Sequence, residues 1–252
     1  MNKLVSAIIT TNNRNELFKK ALRSVQQQTY KNIEIIVVDG GDTDTVKSYV
    51  KSYPNIIYFK NKNKNANVLR NLGIECAHGM WIAFLDDDDM WNSKKIELQL
   101  KCFEKYDIGL CYTGKNILNQ STKKLKYSYQ KPKFKLHAKS IMWDNFIGTT
   151  SSIMISKHAL FDINGFDEKM PALQDYDLYI RICQIYNVQG LDQPLITYLN
   201  NHPGNQTSKN KNNFKEACKL LKNKYKNLEY SKILTIALSK INIKRKIKEF
   251  YE

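Results

Sequence analysis

Trp81-Ile82-Ala83-Phe84-Leu85-Asp86-Asp87-Asp88-Asp89 runs from five apolar residues straight into four aspartates. A short unbroken apolar run has no polar face to turn toward water, so it reads as a strand covered on both sides. The carboxylates that follow repel one another by roughly 1 kcal/mol per pair at ~4 Å in water, and by more beside a low-dielectric wall. Two readings resolve that conflict. A hard divalent cation, Mg2+ or Mn2+, takes oxygen ligands and needs only one or two protein carboxylates beside substrate phosphates; Asp86 and Asp88 point the same way if the chain stays extended there. Alternatively, the acids form an exposed turn whose charge faces a helix N-terminus.

Working outward from this stretch, the first hundred residues alternate between two periods. Residues 5–10, 33–38 and 56–59 read as further strands. Residues 16–28 place Leu17, Phe18, Ala21, Leu22 and Val25 on one helical face; residues 43–52, following Gly40-Gly41, residues 66–77, and residues 93–106 capped by Ser93 read as the other helices. Such alternation predicts an α/β fold with a mostly parallel central sheet flanked by helices. Further on the pattern loosens, with strands expected at 109–113, 152–155 and 195–199 and a helix at 176–186, a mixed extension of the same sheet. Residues 202–213 are a polar, Asn-rich loop. Beyond them Phe214, Cys218, Leu221 and Tyr225 keep helical spacing, so residues 209–252 read as a basic helical tail.

The chain has 252 residues, 42% of them hydrophobic and 11% aromatic, enough to bury a core without staples. No apolar run approaches the ~18 residues that span a bilayer, and the N-terminus reads as a buried strand rather than a signal peptide, which predicts a cytoplasmic protein. Five cysteines without a C-x-x-C pair predict reduced thiols. The formal charge is +16, of which the tail holds +9 and the first 208 residues +7. Eight lysines (115, 123, 124, 126, 131, 133, 135 and 139) lie between Asp107 and Asp144 with no acid among them. Both concentrations are either anion-facing surfaces or simply solvated faces. Nucleic acid is not an expected partner: zinc-finger spacing and aromatic RNA-binding motifs are missing, and the four aspartates would repel phosphates unless metal intervened.

Ligands of open parallel sheets bind beyond the carboxyl ends of strands. Three such ends are polar here: Thr10-Thr11-Asn12-Asn13-Arg14, Asp39-Gly40-Gly41-Asp42 and the four aspartates. Asp39 suits a ribose or base, with two glycines that let backbone approach a ligand, although a glycine-requiring turn looks the same. Neither G-x-G-x-x-G nor a P-loop follows a strand.

Taken together, these segments resemble the family 2 glycosyltransferases of GT-A fold. Residues 5–14 are similar to that family's V-S-V-I-I-P-T-Y-N-R, and Gln28-Thr29-Tyr30 with residues 34–44 to Q-T-Y…E-I-I-V-V-D-D-G-S-T-D. Arg70-Asn71-Leu72-Gly73-Ile74 and residues 77–89 resemble A-R-N-x-G-I…A-x-G-x-Y-I-x-F-L-D-x-D-D. Asn164-Gly165-Phe166-Asp167-Glu168 resembles G-G-F-D-E, and Gln174-Asp175-Tyr176-Asp177-Leu178 resembles E-D-Y-D-L. The resemblance implies a Rossmann-like GT-A domain over 1–208, with a nucleotide-sugar half (1–90) and an acceptor half (91–208), and leaves out the tail.

It also implies roles. Thr10, Thr11, Asn13, Arg14 and Asp39 would line a nucleotide-sugar pocket with Arg70 and Asp87 nearby; Asp86 would contact ribose or sugar; Asp88, with Asp86, would bind Mn2+ or Mg2+. Asp175 matches the catalytic base, although a helix N-cap reads the same from sequence. His202 is similar to a late family histidine that approaches the metal or diphosphate, and its other reading is an ordinary loop residue. The donor implied is a nucleoside diphosphate sugar, UDP-linked by preference. The acceptor implied is a glycan or lipid-linked glycan of cell-surface polysaccharide synthesis, transferred to with inversion. Gly40, Thr10, Asn12, Gln174 and Asn200 depart from the family pattern, the first three where the base is read. The basic tail, with Ile233, Leu234, Ile236, Leu238 and Ile241, could lie on an anionic membrane surface. A metal-dependent nucleotidyltransferase and a non-catalytic binding protein are the rival classes.

Overall fold

The computed structural model describes residues 3–200 and 210–251, with 243–251 described by backbone alone. Strands β1 (Val5–Thr11), β2 (Ile33–Asp39), β3 (Ile56–Lys60) and β4 (Trp81–Asp86) alternate with helices α1 (Asn15–Gln26), α2 (Thr45–Val50) and α3 (Ala66–Cys76). All four strands run parallel, with β1 central between β2 and β4. Their register sets the carboxyl ends level: Thr10 stands opposite Asp86, and Thr11 opposite Asp39. Alternate residues serve the two faces. Ile8, Ile36 and Phe84 enter one core, while Ala7, Ile9, Val37, Ala83 and Leu85 enter the other, the two-sided burial that the apolar run required.

β4 ends at Asp86; Asp87-Asp88 turn, and Asp89 opens the short β5 (Asp89–Trp91). Helix α4 (Lys95–Lys105) follows. Its N-cap is Lys94 rather than Ser93, and the N-cap side chain makes no capping bond; Gln28 Oε1 takes the Ile96 N–H in the first turn, and Asn92 Oδ1 takes the Lys94 N–H. Then come β6 (Leu110–Asn119), β7 (Leu125–Ser128), α5 (His137–Trp143), a 3-10 turn (Thr150–Ser152), β8 (Met154–Ser156), α6 (Lys157–Asp162), α7 (Gln174–Ile185) and β9 (Val188–Asn200). The sheet order is β3-β2-β1-β4-β8-β6-β9-β5, with β7 paired to β6. β8 is antiparallel to β4 and β6, which makes the sheet mixed beyond β4. β6 and β9 are longer than expected because they pair in parallel along their length, with a bulge at Thr113-Gly114-Lys115.

Helices α8 (Lys211–Lys224) and α9 (Ser231–Tyr251) pack on this body. Ala217, Leu221, Tyr225, Leu234 and Leu238 belong to the same buried cluster as Phe84 and Leu178. Leu234 and Leu238, read above as part of a membrane-facing stripe, are thus core residues, and of that set Ile236 is the strongly exposed one, at 52%. The physical reason is helix pairing: a side of α9 rich in apolar residues is best buried against the nearest apolar surface, here α5 and α8. Among the described residues no helix is long and apolar enough to cross a membrane. None of the five cysteines is in a disulfide.

Candidate active site

The level ends of β1 and β4 open onto a cavity of about 830 Å3. Thr10, Thr11 and Arg14 come to it from the β1 end, Arg70 from α3, and Asp86, Asp87 and Asp88 from the β4 end. Asp175 reaches the same space from the first turn of α7, about ninety residues later. The expected acids therefore share one wall and the expected base another.

Two guanidiniums divide the acidic strip. Arg14 Nη1 donates to Asp87 Oδ1 at 3.0 Å and to Asp88 Oδ2 at 2.7 Å. Asp87 also accepts from Thr11 Oγ1 at 2.9 Å and from the Asn12 N–H at 3.2 Å. Burial still pushes its carboxyl up to about 6 against the opposing Arg14 charge. Arg70 Nη2 donates to Asp86 Oδ1 at 2.6 Å, and its guanidinium lies 5.3 Å from the Phe166 ring centroid. Asp89 turns inward, 1% exposed, with Oδ2 buried and unpartnered; burial first, then the charges of Asp88 and Asp86, hold its carboxyl well above the usual range. Ser151 fixes the strand end from behind, its Oγ accepting the Asp86 N–H and its carbonyl the Trp91 indole N–H.

Asp175 is not a helix cap. The residue before α7 is Leu173, at φ +58°, and no side chain caps the helix; Asp175 Oδ1 accepts the Tyr176 N–H at 2.8 Å. Burial raises its carboxyl, the neighbouring Asp86 charge adds to that, and Arg70, Lys115 and the Tyr176 N–H oppose it. A carboxyl raised by burial is a stronger base once ionised, which suits proton abstraction.

Asn13 and Asp39 lie outside the lining of this cavity. Asn13 takes a left-handed φ of +57° and exchanges hydrogen bonds with Asp42 through both ends of its amide. Asp39 is 1% exposed and saturated: Oδ1 accepts the Gly41 N–H, and Oδ2 accepts from the Tyr58 hydroxyl and Lys60 Nζ. The adjoining glycines serve the fold rather than an approaching ligand. A Cβ at Gly40 would meet Leu69 Cδ1 at 2.9 Å, and one at Gly41 would meet Asn13 Oδ1 at 2.8 Å. His202 lies outside the described residues.

The sequence did not single out the rest of the lining. Lys115, one lysine among eight in its run, points inward from β6 with Nζ 5.3 Å from the Tyr198 ring centroid. Burial lowers its pKa while Asp89 and Asp175 oppose the shift. Tyr129, stacked on Tyr112 at 5.8 Å and 18°, adds an aromatic wall. Only the β6 strand direction separates Lys115 from its exposed neighbours; no signal in composition could.

The carboxylates of Asp86 and Asp88 are oxygen donors of the kind a hard divalent ion takes; both are engaged by guanidiniums, as is Asp87, and one buried Asp89 oxygen lacks a protein partner. Among the described residues no group of three or more His, Cys, Asp or Glu could hold a metal ion.

With strand-end acids, a facing carboxylate and a mixed sheet of this order in place, comparison with known proteins is decisive for the class. The sequence model described as Glycosyl transferase family 2 matches residues 6–163, and the chain belongs to that family, with the GT-A fold. An uncharacterized glycosyltransferase of Rickettsia felis is 33% identical over 200 residues, covering 76% of this chain and 32% of its own length. The chain thus spans about a third of that relative. Staphylococcus aureus TarS, solved in complex with UDP-GlcNAc, superposes with a TM-score of 0.75 at 17% identity over 93% of this chain and 71% of its own. A mannosyltransferase of Pyrobaculum calidifontis, solved with GDP-Man and Mn2+, gives 0.61 at 14% identity over 94% and 68%. Both likenesses are of fold.

Proposed function

We propose that this protein transfers a sugar from a nucleoside diphosphate sugar, UDP-linked by preference, to a hydroxyl of a glycan or lipid-linked glycan acceptor, with inversion. The observation that carries the reading is Asp175, its carboxyl raised by burial, lining one cavity with Asp86, Asp87 and Asp88 from a different element. Thr10, Thr11 and Arg70 receive the nucleotide end, and Asp39 and Asn13 shape the loop at its rim. Asp88 and Asp86, joined by His202, would hold Mn2+ or Mg2+. When bound, the ion supplies Lewis-acid neutralisation of the charge on the leaving diphosphate.

Asp175 takes the proton from the acceptor hydroxyl as the new bond to the anomeric carbon forms and the bond to the phosphate oxygen breaks on the opposite side. Arg14 and Arg70 hold the acid strip in place, so the carboxylates need not reorganise when the donor arrives. Tyr129 and Tyr198 offer ring faces on the acceptor side. The surrounding role we propose is cell-surface polysaccharide synthesis, on the cytoplasmic side and peripheral to the membrane.

The test is a panel of UDP-glucose, UDP-galactose, UDP-GlcNAc and GDP-mannose, scored for nucleoside diphosphate release with Mn2+, Mg2+ or EDTA. One donor is expected to turn over with metal and to stop with EDTA. Asp175→Asn is expected to lose roughly 10²–10⁴-fold in kcat, with UDP binding by calorimetry retained. Unchanged turnover in Asp175→Asn would remove the mechanism.

A further inference from the structure

Two residues beyond Asp175 the chain carries a second aspartate that the reaction does not use. Asp177 is 0% exposed, yet it is fully engaged. Its Oδ2 accepts from Arg181 Nε at 3.0 Å and Nη2 at 2.8 Å, one turn along α7. Its Oδ1 accepts from two groups of the C-terminal region: Lys224 Nζ at 2.8 Å, in the last turn of α8, and the Tyr225 hydroxyl at 2.7 Å. Lys224 Nζ also donates to Asp167 Oδ2 at 2.6 Å. One ammonium therefore ties the loop that precedes the base to the helix that carries it. Arg181 Nη1 closes the same loop from the other side, donating to the carbonyls of Ile163 and Gly165.

We infer that Asp177, gripped by Lys224 and Tyr225, is a positioning residue that fixes the first turn of α7 and with it the Asp175 carboxylate. The need for such a hold is local. Helix α7 begins after Leu173 in a left-handed conformation; Leu173 offers no side-chain cap, and the one side-chain bond to a first-turn N–H noted above comes from Asp175 itself, so the residue ahead of the helix does not anchor its first turn. At about 100° per residue, positions 175 and 177 lie roughly 200° apart around the helix. One side chain thus meets the cavity while the other is pinned on the far side, and rolling of the first turn is opposed from behind. A buried carboxylate left short of donors is costly, which makes the grip all-or-none. The grip comes from residues beyond the 6–163 family match, so the C-terminal helices take part in the chemistry through α7.

The inference rests on Asp175 being the base, and the test separates the two. Full-length Tyr225→Phe and Lys224→Met are compared with wild type for turnover of UDP-GlcNAc, or the panel donor that reacts, and for amide hydrogen exchange over residues 174–178. Faster exchange there is expected together with a kcat roughly 10- to 100-fold lower at unchanged donor KM, and Lys224→Arg is expected to recover most of the rate. Ser239→Ala, which removes the bond from Lys222 Nζ between α8 and α9 and the Ser239 hydroxyl's bond to the Thr235 carbonyl within α9, is expected to leave both readouts alone. Unchanged exchange in both variants, or faster exchange with unchanged kcat, overturns the inference. If no donor reacts with wild type, the reading of the function fails, and exchange alone then decides whether Asp177 holds the turn.

Discussion

Asp175 links structure to pH dependence with a definite sign. Its carboxyl is raised in the fold, so it ionises later than a free aspartate, and in the role of base proposed above it would work only when ionised. kcat is therefore expected to rise with pH along an acidic limb above the usual 3.8. Lys115 lowers this carboxyl, so Lys115→Met is expected to move the limb to higher pH; a limb that stays put would detach Lys115 from the site. The same shift acts on stability. A raised folded value contributes stability in full below pH 3.8 that is lost as pH rises through it, so Asp175→Asn is expected to melt at higher temperature than wild type at pH 7. Residue type and spacing singled out Asp86 and Asp88 in the sequence, whereas Asp175 was singled out only by the family resemblance. The saturation of Asp39 was not legible in the sequence, because its partners Tyr58 and Lys60 come from the neighbouring strand β3.

At the scale of elements, the approach of α3 to β1 positions Arg70. Gly73 permits it: a Cβ there would sit 2.6 Å from Ile8 Cγ2 and 3.1 Å from Ile8 Cδ1. Gly73→Ala gains up to about 1 kcal/mol of helix propensity, but overpacking a filled core costs about 1–3 kcal/mol. A net fall in the urea midpoint with unchanged slope is the expected result, and an unchanged or higher midpoint would show that α3 has room to shift. The alternation through α4 could be read from periodicity because each of those elements faces a continuous core. β5, β7, α5 and α6 could not: three to seven residues long, they are fixed by partners in β9, β6, α7 and β8 respectively rather than by their own pattern. Ser93 failed as a cap for a related reason, since Gln28, sixty-eight residues away, takes the Ile96 N–H in the first turn.

For the whole molecule, charge and fold are separable. Helices α8 and α9 contribute buried Phe214, Ala217, Leu221, Leu234 and Leu238, so deleting them would remove core along with charge. The clean test of membrane attachment is charge reversal on the exposed Lys215 and Lys219 of α8 and Lys226 just beyond it. Wild type is expected to float with phosphatidylglycerol vesicles and not with phosphatidylcholine. The triple Lys→Glu protein is expected to partition at least a hundredfold more weakly, at ~1 kcal/mol per lysine lost and more on reversal; equal flotation would point away from α8. Taken alone, the sequence determined the parallel half of the sheet, the strand ends where ligands meet it, and the identity of the acids, because periodicity and residue type are local properties. Only the tertiary structure decided that Asp175 shares a cavity with those acids, that Asn13 and Asp39 do not line it, that Lys115 turns inward, and that Lys224 and Tyr225 reach the buried Asp177. Each of these is a pairing between segments far apart in the chain, and such pairings are set by packing and burial of the whole.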